Sequence, residues 1–321
     1  MSLMTKVSAT HRGWWQVGLG IPWLGVAVWL AATRASALLA GHPAQAIAVV
    51  AVAMVGGLLI AAGARDIGRT RRIAQRRRWV RVTLRSLGLL VTLVVVGSMA
   101  YLRPFTASAD AIAAMSGTQN VAVSDTATTI TLTPRGAQPS TGLVFQPGAR
   151  VDPRAYVPLL TQLGEQGYLA VVVKQPFNIG FTATRAPGGI IEDHPEVDAW
   201  AVGGHSLGGV AASSYAGDHL DEIDGLLLWA SYPLDTLAEA NLVVASVSGT
   251  EDGLAVPADI EASAAKLPAD TAFVPVQGGV HAYFGDYGTQ PGDGEPTISR
   301  SAAQQQIVEA SADLLSEVET P

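Results

Sequence analysis

Residues 201–210 read Ala-Val-Gly-Gly-His-Ser-Leu-Gly-Gly-Val, an apolar run that leads into the pattern Gly-x-Ser-x-Gly. We predict a strand over 200–203 and a helix over 210–219, joined by a sharp turn at Ser206. Such a turn strains the serine backbone and exposes its hydroxyl, while Gly204 and Gly208 leave room where strand and helix nearly touch. Ser206 is therefore a candidate nucleophile. Because so short a pattern also arises by chance, its surroundings decide its meaning.

The composition separates the chain into two parts. The 321 residues are 49% hydrophobic, with a mean hydropathy of +0.29, which is too apolar for an ordinary soluble domain. Residues 1–103 carry 13 basic residues and one acid, a net +12, whereas the remainder carries 7 basic and 26 acidic residues, a net −19. So acidic a domain repels phosphate backbones, which argues against nucleic acid as a partner. The lack of cysteine excludes disulfides and a thiolate nucleophile.

The first part, 1–103, is predicted to be a membrane region. Three uncharged stretches, 13–33, 43–63 and 86–102, have 21, 21 and 17 residues, within the range that spans a bilayer as a helix. Nine arginines occupy the segment 64–85, which the positive-inside rule places in the cytoplasm. Three crossings then put everything after Arg103 on the extracytoplasmic side. A cleavable signal peptide ending near 44–46 is the alternative, and it leads to the same side.

The second part is predicted to begin with a linker over 104–140, which includes two short strands at 121–123 and 129–132. From 141 to 321, strand and helix patterns alternate. The strands are predicted at 142–145, 169–173, 200–203, 225–229, 242–247 and 272–276, and the helices at 153–167, 210–219, 257–267 and 301–318. This alternation predicts an α/β fold with a doubly wound, mostly parallel sheet, whose active site lies beyond the carboxyl ends of its strands.

Two further polar residues follow predicted strands of this sheet. Asp252 comes after the strand 242–247, in Ser-Gly-Thr-Glu-Asp-Gly-Leu, and His281 comes after the strand 272–276, in Gly-Gly-Val-His-Ala-Tyr. A serine hydroxyl needs a base within hydrogen-bond reach and a carboxylate that orients the base. We therefore assign Ser206 as nucleophile, His281 as general base and acid, and Asp252 as the orienting acid. Asp235 and Glu251 remain alternatives for the acid.

With these residues, 145–318 resembles the α/β-hydrolases, and specifically the compact, capless dienelactone-hydrolase and esterase-like family. Besides the serine turn, the matching passages are Val-Phe-Gln-Pro-Gly-Ala at 144–149, Gly-Thr-Glu-Asp at 249–252 and Gly-Gly-Val-His-Ala-Tyr-Phe-Gly-Asp-Tyr-Gly at 278–288. The chain order Ser, Asp, His is the order of that fold. The resemblance implies a Ser-His-Asp hydrolase and leaves the substrate open.

The transition state of acyl transfer needs two N–H donors for its oxyanion. The fold supplies the backbone N–H of Leu207 and one from the loop after strand 142–145. Ala149 is our choice in that loop and Gly148 is the alternative, because Pro147 has no N–H to donate. An ordinary Pro-Gly turn at 147–148 is compatible with either residue as the donor.

The substrate must be recognised by loops, because only twelve residues separate the strands 225–229 and 242–247, too few for an inserted lid. The candidate substrate-binding side chains are Phe177, Phe181, Tyr283 and Phe284. No pattern of acids or histidines has the spacing of a metal site, and no phosphate-binding glycine loop is present, so we expect no metal and no cofactor.

These observations predict a membrane-anchored, extracytoplasmic serine hydrolase acting on a small-molecule or lipid ester beside the lipid bilayer. Two alternatives stay open. One is a catalytically inactive hydrolase fold that serves as a binding or sensory module, and the other is an acyltransferase that uses the same three residues. The oligomeric state has no signal in the sequence.

Overall fold

The computed structural model describes residues 10–67, 78–136 and 138–319. Contacts divide the chain into two compact units: one is helical and ends at Arg103, and the other comprises 39–43 and everything from Pro104 onward. Of the predicted cytoplasmic segment 64–85, the residues 68–77, which include five of its nine arginines, lie outside the described residues.

The helical unit contains α1 (Thr10–Ala40), α2 (Pro43–Asp66) and α3 (Arg78–Tyr101). All three are long and apolar enough to cross a membrane, the third over Trp79–Tyr101. Helix α3 begins well before the predicted 86, because arginine is a good helix former and hydropathy detects only the uncharged part. Helices α1 and α2 approach closely at small residues: a Cβ on Gly20 would lie 2.6 Å from the Gly56 carbonyl oxygen.

The second unit contains one eight-stranded sheet. Its strands are β1 (Val121–Asp125), β2 (Thr129–Pro134), β3 (Thr141–Gln146), β4 (Leu169–Val173), β5 (Ala199–His205), β6 (Gly225–Trp229), β7 (Val243–Gly249) and β8 (Ala272–Val276). They lie in the order β1-β2-β4-β3-β5-β6-β7-β8. Strands β1 and β2 are antiparallel to their neighbours and all other pairs are parallel. The predicted mostly parallel sheet is confirmed.

Helices cover both faces of this sheet. They are α4 (Ala109–Ala114), α5 (Val157–Glu165), α6 (Ala186–Glu192), α7 (Leu207–Asp218), α8 (Pro257–Ser263) and α9 (Arg300–Glu319). Side chains alternate along each strand, so that Leu143 and Phe145 of β3 pack with α5 and α9, while Val144 packs with α7. Because both faces are buried, the central strands are continuously apolar.

The segment 104–140, predicted as a linker, is part of this unit. Strands β1 and β2 extend the sheet, and α4 packs on the core through Ala111, which is fully buried. Phe105 forms a bridge with Val151 in the loop after β3. The small residues that suggested a linker instead allow close packing against the sheet and its helices.

Candidate active site

Ser206 lies in the sharp turn between β5 and α7, at the carboxyl edge of the sheet. Its φ of 53° and ψ of −124° are a left-handed conformation that a non-glycine residue adopts only under strain. Its N–H donates to the Trp229 carbonyl oxygen at 2.9 Å, and its own carbonyl oxygen accepts from the Ser231 hydroxyl at 2.7 Å. Bonds to the last residue of β6 and to the segment just after it therefore hold the strained turn in place.

The turn requires glycine at 204 and 208, because there is no space for a side chain at either position. A Cβ on Gly208 would collide with the carbonyl oxygens of Gln146 and Pro147, and one on Gly204 would lie 2.5 Å from the Gln146 oxygen. We refer to 204–208 as the nucleophile elbow. Its close approach to the end of β3 brings Ser206 next to the loop predicted to supply an oxyanion donor.

His281 and Asp252 come together at the ends of β7 and β8. The His281 Nδ1 atom lies 2.9 Å from Asp252 Oδ2, and both side chains are buried. Asp252 Oδ1 accepts from the backbone N–H groups of Leu254 and Ala255, each at 2.8 Å. The carboxylate is thus fully hydrogen-bonded, and an Nδ1–H directed at it leaves His281 Nε2 free to accept a proton.

The two alternative acids are placed differently. Asp235 lies in the connection between β6 and β7 and Glu251 lies one residue before Asp252, and both are exposed. The carboxylate hydrogen-bonded to His281 is that of Asp252.

His281 and Ser206 are not hydrogen-bonded. Within the described part of the chain, His281 Nε2 is buried and has no hydrogen-bond partner. Buried nitrogens of this kind normally have a hydrogen-bond partner. The lone pair of Nε2 is therefore available to accept a hydrogen bond from a group that enters the site. Serine–histidine bonds are often formed only when substrate is present.

The loop after β3 supplies the expected N–H groups. The Gly148 N–H donates to the Tyr156 hydroxyl at 2.8 Å, so this donor is already used. The N–H groups of Ala149 and Leu207 donate to no acceptor among the described residues. Of the two candidates in the loop, Ala149 therefore has the available N–H.

His205 and Tyr156 form a buried pair beside the site. The Tyr156 hydroxyl, which accepts from Gly148, lies 2.9 Å from His205 Nδ1, and the His205 ring centroid is 4.5 Å from that of His281. Burial, followed by the nearby His281, holds the pKa of His205 well below its ordinary value, and burial raises the pKa of Tyr156. The tyrosine therefore donates its proton to a neutral His205.

The four predicted substrate-binding side chains have different surroundings. Phe284 is fully buried, and its ring stacks on that of His205 with the centroids 5.8 Å apart. Arg300 lies over one face of the Tyr283 ring at 4.5 Å. Phe177 is half-buried, next to Asn178, whose carbonyl oxygen accepts from the Arg150 N–H of the oxyanion loop. Phe181 is 49% exposed.

Phe181 lines a cavity of about 390 Å³ beside α7. The connection 230–242 between β6 and β7 contains no helix in the structure, and its residues 233–240, both apolar and acidic, form the other wall. Val210 lies one helical turn beyond Ser206 on this side of α7, and the exposed Leu234 also lines the cavity. Its volume is in the range of small-molecule sites.

Sequence reasoning missed two parts of the site. Asp293 accepts hydrogen bonds from the backbone of both loops that carry Asp252 and His281. Phe105, four residues beyond the end of α3, exchanges backbone hydrogen bonds with the oxyanion loop: its N–H donates to Arg150 and its carbonyl oxygen accepts from Asp152. The position of Asp293 between two glycines was visible in the sequence, but nothing indicated which backbone it would contact.

Comparisons with solved structures give alignments at low identity. A predicted CIB-like hydrolase from Thermoplasma acidophilum is 12% identical, with a TM-score of 0.48 over 61% of this chain and 99% of that chain. An alpha-beta serine hydrolase homologue from Coxiella burnetii is 16% identical, with a TM-score of 0.42 over 63% and 98%. Mouse alpha/beta hydrolase domain-containing protein 10 is 11% identical, with a TM-score of 0.46 over 61% and 98%.

Among curated proteins, no sequence matches this chain. The sequence model of the alpha/beta hydrolase family matches residues 142–306, just over half of the chain. The match begins in β3 and includes Ser206, Asp252, His281 and Asp293. The chain therefore belongs to the alpha/beta hydrolase family.

Proposed function

We propose that this protein is a serine hydrolase that cleaves carboxylic esters through an acyl-enzyme. Ser206 is the nucleophile, His281 the general base and then acid, and Asp252 the orienting carboxylate. The observation that carries the proposal is a serine at φ 53° and ψ −124° on the same sheet edge as a buried His281–Asp252 pair with a free Nε2. Membership of a hydrolase family supports the reaction class.

In the first step, Ser206 Oγ attacks the ester carbonyl carbon and forms a C–O bond, while His281 Nε2 takes the hydroxyl proton. The carbonyl electron pair moves to oxygen, and the N–H groups of Leu207 and Ala149 bind this oxyanion. Asp252 stabilises the imidazolium through Nδ1–H. The carboxylate also accepts two backbone N–H bonds, which hold its orientation toward the imidazole.

In the second step, the tetrahedral intermediate collapses and the bond to the alcohol oxygen breaks. His281 Nε2 returns its proton to the departing alcohol, and the acyl group stays on Ser206. A water molecule then attacks the acyl carbon while Nε2 accepts one of its protons. Collapse of this second intermediate returns the proton to Ser206 Oγ and releases the carboxylic acid.

These reaction steps require the Ser206 hydroxyl to turn toward His281 Nε2 when substrate binds, since the two groups are not hydrogen-bonded in the structure. The cavity beside α7 is the candidate location of the acyl group. It begins one helical turn beyond the nucleophile and presents Phe181, Val210 and Leu234. Asp218, Asp235 and Glu239 also line the cavity, and the apolar side chains among them favour a small-molecule or lipid ester with an apolar acyl part.

The experiment that tests the chemistry is labelling of the full chain with a fluorophosphonate. We expect the parent to be labelled, Ser206→Ala to show none, and Ser124→Ala, which changes an exposed serine on β1, to match the parent. Hydrolysis of p-nitrophenyl esters of graded acyl length should disappear with the same variant. Equal labelling of Ser206→Ala and the parent would refute the assignment, and an inert parent would favour a binding module.

The location of the site outside the cytoplasm is part of the proposal. It is supported by three candidate spans and by an arginine-rich segment between the second and third. Since the chain contains no cysteine, single cysteines report on sidedness without background. We expect Ser124→Cys to react with a membrane-impermeant maleimide on intact cells, and Arg72→Cys to react only after lysis. The opposite pattern would place the catalytic unit in the cytoplasm.

A further inference from the structure

Asp293 contacts both loops that carry the acid and the base of the proposed site. Its Oδ1 accepts from the N–H of His281 at 3.0 Å and of Gly253 at 3.4 Å, and its Oδ2 accepts from the N–H of Ala282 at 2.8 Å. A fourth bond, from the Gly294 N–H to Oδ1 at 2.8 Å, fixes the carboxylate on its own backbone. One side chain thus joins the residue after Asp252 to His281 itself.

The backbones at this junction are packed without space for side chains. A Cβ on Gly253 would lie 2.7 Å from the Gly292 carbonyl oxygen and from the Gly294 nitrogen. A Cβ on Gly294 would overlap the Glu251 carbonyl oxygen. The loops therefore touch directly, and the carboxylate of Asp293 sets their spacing.

The peptide that follows His281 is held from both sides. The Ala282 N–H donates to Asp293, and the Ala282 carbonyl oxygen accepts from the Arg300 guanidinium at 2.6 Å. Arg300 also donates to the carbonyl oxygens of Gly285 and Gly288. The imidazole itself has a single hydrogen bond within the described residues, from Nδ1 to Asp252, so its position depends on its backbone.

We infer that Asp293 is a positioning residue for the proposed catalytic pair: it holds the His281 backbone at the distance from the Asp252 loop that the Nδ1–Oδ2 bond requires. The inference rests on the proposed function, because it assigns a role through His281. A positioning role differs from a general structural role in one respect. The effect of removing Asp293 on turnover must depend on the presence of His281.

The variants are Asp293→Ala, which removes all four acceptor contacts, and Asp293→Asn, which keeps the oxygen for His281, Gly253 and Gly294. Glu295→Gln, an exposed carboxylate two residues away, is the matched control. Displacement of a catalytic group by about 1 Å costs on the order of 100-fold in rate. We expect Asp293→Ala to lower kcat by about 10- to 100-fold with KM nearly unchanged, Asp293→Asn to recover much of the loss, and the control to match the parent.

The decisive measurement repeats Asp293→Ala in a His281→Ala background, with ester hydrolysis as the readout. If Asp293 acts through His281, adding Asp293→Ala to His281→Ala leaves the residual rate unchanged, because there is no imidazole left to position. An equal loss in both backgrounds, a change confined to KM, or full activity of Asp293→Ala would overturn the inference. If Asp293→Ala does not fold, as judged by its thermal unfolding, Asp293→Asn is measured in both backgrounds instead.

Failure of the inference is distinct from failure of the proposed function. Full activity of Ser206→Ala removes the proposed function, and with it the assigned role of His281. An inactive Ser206→Ala together with Asp293 variants that are additive with His281→Ala removes only the role of Asp293.

Discussion

The nucleophile elbow and the loops around His281 are stabilised by different forces. At the elbow, Gly204 and Gly208 let two backbones touch, and a single added carbon would collide. Around Asp252, His281 and Asp293, which we call the histidine corner, carboxylates accept hydrogen bonds from the loops that follow β7 and β8. The elbow is therefore sensitive to volume, and the histidine corner is sensitive to which atoms donate and accept.

This difference separates the two regions experimentally. A substitution that preserves shape and changes hydrogen bonding should damage the histidine corner, whereas one that adds a methyl group without changing polarity should damage the elbow. His205 belongs to both regions, since it precedes Ser206 in the chain and its ring lies 4.5 Å from the ring of His281.

The largest expected effect is that of Asp252→Asn on turnover. The side chain keeps its shape, and its oxygen can still accept from Leu254 and Ala255. Its NH2 group then faces His281 Nδ1, which must become an acceptor. The ring proton therefore lies on Nε2, and this nitrogen can no longer accept the proton of Ser206. We expect kcat to fall by about 10⁴-fold, roughly 5 kcal/mol in activation free energy.

The matched controls are Asp235→Asn and Glu251→Gln, the two exposed carboxylates that the sequence left as alternatives. Both should retain the kcat of the parent. A loss of similar size in either, with Asp252→Asn active, would assign the acid differently and remove the histidine corner from the mechanism.

Residues of the two regions also differ in how well the sequence predicts them. The sequence indicates Ser206 through five neighbouring residues, because the steric demand of the elbow falls on glycines within that stretch. The sequence predicts that Asp252 and His281 lie together because each follows a strand and parallel strands end on one edge, and the structure pairs them. Asp293 was missed because it binds backbone N–H groups, which carry no side-chain signature in the sequence.

Two other differences between the sequence-based expectations and the structure have the same origin. Tyr283 and Phe284 are adjacent in a short 3-10 turn, and composition does not indicate which of them points inward; the structure buries Phe284. In the segment 104–140, small residues suggested a linker, but Ala107 and Ala111 are buried in the core. Local patterns predict elements well and predict poorly which loop residue packs against which backbone.

The second prediction concerns the elbow and a single methyl group. Gly208→Ala places a Cβ against the backbone of Gln146 and Pro147, neither of which can rotate away. We expect a loss of about 2–3 kcal/mol of unfolding free energy, which lowers the melting temperature by roughly 4–12 °C. Fluorophosphonate labelling of Ser206 should decrease as well, because the turn must open to relieve the collision.

Gly189→Ala in α6 is the control, since a Cβ there meets nothing within 4 Å. Alanine is the better helix former by about 1 kcal/mol, so this variant should melt at the same temperature as the parent or slightly higher. If Gly208→Ala melted like Gly189→Ala and kept full labelling, the elbow would not be limited by space.

The smallest predicted effect is a pH dependence of stability that arises at His205, between the two regions. Burial and the neighbouring His281 hold the pKa of this histidine well below its ordinary 6.5, so the folded protein keeps it neutral while the unfolded chain protonates near 6.5. As the pH falls through 6.5, the unfolded state gains a proton that the folded state does not, and stability decreases. From pH 7.5 to 5.5 we expect a loss of about 1–2 kcal/mol.

The measurement compares melting temperatures at the two pH values for the parent, His205→Asn and His219→Asn. His219 lies outside the site and is only half-buried, so its variant should keep the pH dependence of the parent. His205→Asn is expected to melt lower at both pH values, because the smaller side chain loses the ring contacts with His281 and Phe284, but its decrease between them should be smaller by roughly 3–6 °C. An equal decrease in all three proteins would mean that His205 is protonated in the folded state. Its hydrogen bond with Tyr156 would then be reversed: the tyrosine oxygen would accept from both His205 and the Gly148 N–H, and the tyrosine proton would lose the acceptor that it has in the neutral pair.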